Sequence, residues 1–245
     1  MDYRAQIAFY DVLWISAVTA FVVARFVWPT VRARKIRRLD ARADDDPEVR
    51  QEARAELMGQ LAYDAENGLP LRPEVMLRLA ELEILDGLAP DAIQKLEQLE
   101  WYVSGQPLLW QTTLLHLANG YLTVERPERA VDAARRAIPL HPDGANLART
   151  YLVMALVEQN QPAEALEALA ALRPGDLSPR MRARLSVAEA RAHCNSERDL
   201  GLAEQRLREV MRQDRPLVER LVRERAAEPV AAIATRLLTE QGPYR

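Results

Sequence analysis

The sequence predicts an all-α protein, in which one membrane-spanning helix precedes an α-solenoid of about four helical hairpins with flanking capping helices. The 245-residue chain has only 9 glycines, and Ala, Leu, Arg and Glu dominate without alternating runs of Val, Ile and Thr. One long apolar segment lies near the N-terminus. Farther along, pairs of amphipathic helical segments recur at intervals of 35 to 38 residues.

Residues 7–28 form the predicted transmembrane anchor, which we place in residues 1–28. The segment is apolar except for Asp11 and Arg25, and its 22 residues would span about 33 Å as a helix. A cleavable signal peptide is the alternative. It would carry its basic residues before the apolar segment, whereas here they follow it.

The basic residues after the span predict its orientation. They are Arg32, Arg34, Lys35, Arg37 and Arg38. By the positive-inside rule, the N-terminus lies outside and the rest of the chain is cytoplasmic. The same residues could contact anionic lipid headgroups. With inverted topology, the repeats would instead form an extracytoplasmic chaperone.

Two features of the predicted span could make contacts within the membrane. Ser16, Ala20 and Ala24 form a row of small residues that permits close helix packing, in a homo-oligomer or a membrane complex. Asp11 could reach a polar group on a neighbouring subunit. The alternative is a carboxylate that lies at the membrane interface.

A basic juxtamembrane segment and acidic linker is predicted at residues 29–47, the repeat domain at 48–213 and capping helices at 214–245. The three aspartates at 44–46 could cap a helix that runs from Glu48 to Asn67. At the other end, two helices are predicted, from Pro216 to Glu228 and from Pro229 to Gln241.

The best-formed hairpin runs from Leu114 to Pro142. Leu117 and Tyr121 share one face of its first helix, and alanines line the second, which a proline can open after Arg126. Aromatic and leucine residues on the first helix, alanine at the closest approach and a terminating proline resemble the tetratricopeptide repeat (TPR) family, in its bacterial single-pass membrane-anchored type.

Four copies of the second helix align on one packing alanine each. These are Ala92, Ala130, Ala165 and Ala203, separated by 38, 35 and 38 residues. The first and last copies are degenerate, as terminal repeats often are. In the first, Glu83 occupies a position where a large apolar residue is expected.

The resemblance implies a concave groove lined by the first helix of each hairpin. The groove residues would be Leu77, Glu81, Ile84, Thr112, Leu115, Asn119, Leu122, Leu147, Thr150, Met154 and Val157. This surface is largely apolar and suits an amphipathic helix or hydrophobic segment of a protein partner. Relatives that bind a C-terminal carboxylate use Lys, Arg and Asn in the groove, and only Asn119 matches. Alternatively, the terminal helices cover some of these positions.

Nothing in the sequence indicates catalysis, a cofactor, a metal site or nucleic-acid binding. The three histidines are scattered, and no phosphate-binding loop or paired-cysteine site is present. The formal net charge is -3, with arginines mixed among carboxylates.

We therefore expect a non-enzymatic adaptor, scaffold or assembly factor at the bacterial inner membrane. It would bind a membrane-associated protein partner through the groove. The alternative is a permanent accessory subunit of a larger membrane complex, which uses the transmembrane helix as well as the repeats.

Overall fold

The computed structural model describes residues 35, 39, 42–44, 46–172, 177–196 and 199–241. Within them all regular secondary structure is helical, and eleven helices have bounds that the structure describes. Their bounds are α1 Pro47–Glu66, α2 Pro73–Leu85, α3 Ala89–Val103, α4 Pro107–Thr123, α5 Pro127–Ala137, α6 Pro142–Glu158, α7 Pro162–Ala170, α8 Pro179–Asn195, α9 Leu200–Gln213, α10 Arg215–Glu224 and α11 Pro229–Gln241.

Proline and short polar side chains define most helix starts. Among these eleven helices, all but α9 have a proline in one of the first two positions. There the missing N–H costs nothing, because it would have no partner within the helix. Asp46 caps α1 as expected, since its Oδ1 accepts the N–H groups of Glu48 at 3.0 Å and Val49 at 3.3 Å.

The chain divides into two compact units, Met1–Val75 and Met76–Arg245. In the first unit, α1 lies one residue N-terminal to its predicted range. The buried Asp64 near its end accepts a hydrogen bond from Nε of Arg72 at 2.7 Å. All groove residues predicted from the sequence lie in the second unit.

The second unit is a stack of helical hairpins. We call α2, α4, α6 and α8 the A helices and α3, α5, α7 and α9 the B helices. Each B helix from α3 to α7 contacts the following A helix, and α6 contacts both α4 and α8. This arrangement confirms the predicted α-solenoid, because each hairpin buries its apolar face against its neighbours.

The four packing alanines lie where their register predicts. Ala92, Ala130, Ala165 and Ala203 are all 0% exposed, one on each B helix. A methyl group at these positions lets the two backbones of a hairpin approach closely, as ridge-into-groove packing requires. The repeat interval read from the sequence is therefore confirmed.

Three successive hairpins share one turn geometry. A residue with positive φ follows each A helix: Gly87 at 79°, Glu125 at 56° and Asn160 at 56°. The N–H of the next residue returns to a carbonyl five residues earlier, at 2.8, 2.8 and 2.9 Å respectively. This is the Schellman arrangement, which satisfies free carbonyls at a helix end.

Two buried polar residues join neighbouring helices. Glu83, the departure noted in the first repeat, is buried and paired with Lys95 of α3 at 2.9 Å. Gln111 of α4 is 1% exposed. Its Nε2 donates to the carbonyl oxygens of Ala137 at 2.9 Å and His141 at 2.6 Å, so it joins α4 to the α5–α6 junction.

The last two helices pack differently from the preceding hairpins. The first of them, α10, ends at Glu224 rather than at the predicted Glu228, whereas α11 has the predicted bounds. α11 contacts both α8 and α9, and Val230, Ala234 and Leu237 enter the core formed by those helices. The terminal pair thus closes the apolar end of the stack.

No helix among the residues given above is long and apolar enough to cross a bilayer. The predicted span at residues 7–28 lies outside those residues.

Candidate functional site

The predicted groove residues differ widely in exposure. Leu77, Ile84, Leu115, Thr150, Met154 and Val157 are buried. Glu81, Thr112, Asn119, Leu122 and Leu147 are partly exposed. A partner on this surface would therefore meet mainly the second group. We call the side of the A helices that bears Glu81, Asn119 and Leu122 the A-helix face.

The burial of the predicted α6 residues follows from the position of that helix in the stack. α6 contacts α4, α5, α7 and α8, and every residue from 150 to 157 is buried. A helix that is surrounded in this way is apolar on nearly all sides. Thr150 tolerates full burial because its hydroxyl donates to the Asn146 carbonyl at 2.9 Å.

The A-helix face carries more charge than its sequence positions indicated. Arg78 pairs with Glu81 at 2.7 Å on α2. Burial lowers the pKa of the nearby His116 below its ordinary value of 6.5, while the Glu81 charge opposes this effect. Asn119 accepts a hydrogen bond from Arg184 of α8 at 3.4 Å. That contact reaches from α8 to α4, two A helices away.

A pocket of about 230 Å³ lies on this face. Its apolar surface comes from Leu122, Met154, Val187, Leu217 and Leu221, which belong to α4, α6, α8 and α10. Charged side chains complete the lining: Arg184, Arg191, Arg220, Arg225, Glu158 and Glu224. Four arginines against two glutamates leave an excess of positive charge. Helix α10 therefore forms one wall of this pocket.

One edge of this pocket is a network of ion pairs. Arg191 of α8 contacts Glu158 at 2.5 Å and Glu228 at 2.8 Å, and Arg225 also contacts Glu158, at 2.8 Å. Burial by itself would lower the pKa of Arg191, but the hydrogen bonds to both glutamates and their negative charges together raise it. The network fixes the end of α10 to α6 and α8.

Arg184, which also lines this pocket, has a different electrostatic environment. Burial lowers the pKa of Arg184, and the positive charges of Arg180 and Arg220 lower it further. Tyr151 lies in the same environment, and burial raises the pKa of its hydroxyl. This environment thus concentrates arginines around a partly buried guanidinium group.

Sequence reasoning did not identify the arginines of this pocket. Arg180, Arg184, Val187, Ala188 and Arg191 lie at helical spacing on α8, which could have indicated a shared face. No sequence signal, however, places α10 and its Arg220 beside them. That proximity depends on how the terminal pair packs.

Two further surfaces lie away from this pocket. A cavity of about 630 Å³ is lined by α7, α8 and α9, and within it Glu189 pairs with Arg206 at 2.8 Å. In the last turn of α3, Trp101 is 83% exposed, beside the exposed Tyr102. Neither surface includes a groove residue predicted from the sequence.

The histidine and cysteine side chains with potential for catalysis serve the helices around them or are buried. His141 caps α6, since its Nδ1 accepts the N–H of Asp143 at 3.3 Å. Burial raises the pKa of the Cys194 thiol to about 11, which keeps it protonated at neutral pH. The described part of the chain contains no cluster of His, Cys, Asp or Glu that could hold a metal ion.

Of the predicted membrane and topology residues, only Lys35 is described. Its Nζ lies 3.1 Å from a carboxylate oxygen of Glu52 and 3.4 Å from one of Glu56. The others lie outside the described residues: Asp11, Ser16, Ala20, Ala24, Arg32, Arg34, Arg37 and Arg38.

Comparison with known proteins establishes the class of fold. No protein-family profile and no curated protein matches this chain. Two crystal structures of a kinesin light chain-like protein from Podosopora anserina, with nearly identical TPR-like repeats, do match it. Both are 21% identical to this chain and cover 73% of it.

The matched regions make up 92% and 93% of those two chains, and the TM-scores are 0.56 and 0.55. The chain thus has a TPR-like helical-repeat fold.

Proposed function

We propose that this chain is a membrane-anchored adaptor or assembly factor that holds a protein partner against its A-helix face. The observation that carries this proposal is the pocket shared by α4, α6, α8 and α10, whose lining combines apolar and charged side chains. Protein-binding surfaces commonly combine an apolar centre with polar surroundings. The apolar segment at residues 7–28 supports attachment to a membrane.

Site-specific photocrosslinking in cells tests the partner proposal. A photoreactive amino acid is placed at Asn119 or Leu122, and a control is placed at Ala163, an exposed position on α7. We expect a discrete adduct from the groove positions and none from the control. Equal labelling from all three positions, or no adduct from the groove, would contradict the proposal.

The proposed location is the bacterial inner membrane, with the N-terminus outside and the repeats in the cytoplasm. Its support is the run of basic residues after the predicted span. In inside-out vesicles, added protease should digest the repeats, whereas in right-side-out vesicles it should not. The reverse result would favour an extracytoplasmic chaperone.

A permanent subunit of a membrane complex is the second candidate, and the small-residue row at Ser16, Ala20 and Ala24 favours it. Gel filtration in mild detergent distinguishes the two. A stoichiometric complex that survives the column indicates a subunit, and substoichiometric, exchangeable partners indicate an adaptor.

A further inference from the structure

Arg184 has unusual surroundings for a partly buried cation. It lies on α8, lines the pocket on the A-helix face and donates one hydrogen bond, to the Asn119 amide oxygen at 3.4 Å. Among the described residues, it makes no ion pair with a carboxylate. A guanidinium group offers five N–H donors, so most of its hydrogen-bonding capacity is available to a ligand.

The positive charges near Arg184 add to the effect of its missing carboxylate partner. Burial lowers the pKa of Arg184 most, and Tyr151 acts in the opposite direction. The positive charges of Arg180 and Arg220 lower that pKa further. Arg220 lines the same pocket from α10. Like charges held together in a partly desolvated site are costly unless an anion joins them. The protein therefore keeps an arrangement that a bound anion would relieve.

Arg191 provides a comparison on the same helix. It lies about two turns beyond Arg184 and lines the same pocket, but two glutamates pair with it directly. Its role is accounted for by contacts within the chain. By contrast, Arg184 has no carboxylate partner among the described residues, so it is the arginine that can bind an anionic group of another molecule.

We propose that Arg184 and Arg220 bind the side-chain carboxylate of an internal Asp or Glu in a partner segment. A neighbouring apolar side chain of that segment packs against the apolar residues of the pocket lining. This inference rests on the proposed function, since it specifies the partner of the same face. Charge complementarity selects the occupant: the lining has four arginines against two glutamates, and both pairing partners of Glu158 are arginines of this chain. A planar guanidinium group binds a carboxylate through two parallel hydrogen bonds.

The apolar residues of the pocket lining explain why an acidic residue alone is not the whole ligand. Leu122, Met154 and Val187 lie beside the arginines, and Leu217 and Leu221 face them from α10. An apolar side chain next to the carboxylate would cover this surface. The segment therefore combines an acidic with an apolar side chain, which is more specific than the amphipathic helix or hydrophobic segment that the sequence predicted.

Three fluorescent peptides test the inference against the full chain in mild detergent. The first alternates Leu and Glu and ends in an amide. The second has Gln in place of every Glu, and the third is this Gln peptide with a free C-terminal carboxylate. By fluorescence anisotropy, we expect the Glu peptide to bind at least about tenfold more tightly than the other two, and less tightly as salt increases.

Variants assign the effect to the pocket. Arg184→Gln and Arg220→Gln should each weaken binding of the Glu peptide by about threefold to tenfold. Arg223→Gln is the matched control, because Arg223 is exposed on the same helix as Arg220 but does not line the pocket. It should leave binding unchanged. Arg220 is itself exposed, so its replacement keeps the test valid if Arg184→Gln impairs folding.

Several outcomes would overturn the inference. They are equal binding of the Glu and Gln peptides, preference for the free C-terminal carboxylate, and no effect of Arg184→Gln or Arg220→Gln. Lack of binding by all three peptides would overturn it too. If crosslinks from Leu122 persist in that case, the proposed adaptor function stands without the carboxylate site. If they are also absent, both proposals fail.

Discussion

Replacing Gly144 with alanine tests how the second and third hairpins are joined. A Cβ atom at this position would lie 2.3 Å from Oε1 and 2.5 Å from Cδ of the buried Gln111. The amide of Gln111 would have to move, and its bonds to the carbonyls of Ala137 and His141 would be lost. The α5–α6 junction would then lose its hydrogen bonds to α4.

The expected loss of stability follows from these contacts. Two hydrogen bonds contribute about 1 kcal/mol each, and buried groups left without partners add about 1–3 kcal/mol. The preference of a helix for Ala over Gly returns up to about 1 kcal/mol. We expect Gly144→Ala to lower the free energy of unfolding by about 2–4 kcal/mol and the melting temperature by about 4–16 °C.

A double-mutant cycle, followed by circular dichroism of the full chain in detergent, checks this explanation. In a Gln111→Ala background the clash is absent, so Gly144→Ala should be neutral or stabilising by up to about 1 kcal/mol. Gly105→Ala is the control, since a Cβ there meets nothing within 4 Å. An equal loss of stability in both backgrounds, or none in either, would refute the reasoning.

Three further predictions concern the stack and the A-helix face. Ala130→Leu should lower stability by about 1–3 kcal/mol through overpacking, measured as a lower melting temperature, whereas the exposed Ala163→Leu should change little. Arg191→Met should cost about 1–3 kcal/mol in urea denaturation, because it removes the nearest cationic partner of two partly buried carboxylates. Burial lowers the pKa of His116 in the folded state, so its contribution to the free energy of unfolding should be fully present above pH 6.5 and decrease as the pH falls below 6.5. His116→Gln should reduce the dependence of that free energy on pH by up to about 1.4 kcal/mol per pH unit, as urea denaturation at several pH values would measure.

The hairpins could be predicted because their determinants are local. Helix starts follow from prolines, and the B-helix register follows from one small residue per repeat, as Ala92 and Ala165 illustrate. Both features can be recognised in a short window of sequence, and the structure agrees with them. The Schellman turns were not predicted, although they too depend on residues within one helix end.

The exposed part of the groove could not be predicted in the same way. Met154 has the spacing of a groove residue, yet it is 8% exposed because α6 is surrounded by its neighbours. Arg220 was assigned only to a capping helix, and its place in the pocket depends on the packing of α10. Periodicity shows which residues share a face, but the distant elements that cover that face are not encoded locally.

The position of α10 has a consequence for how such a chain can change in evolution. Repeat proteins gain and lose hairpins by duplication and deletion, and a binding surface made only of repeated helices can shift along the array. Here one wall of the pocket belongs to the terminal pair and the others to α4, α6 and α8. A hairpin inserted after α9 would carry Arg220 away from Arg184, so the site fixes the number of hairpins between α4 and α10.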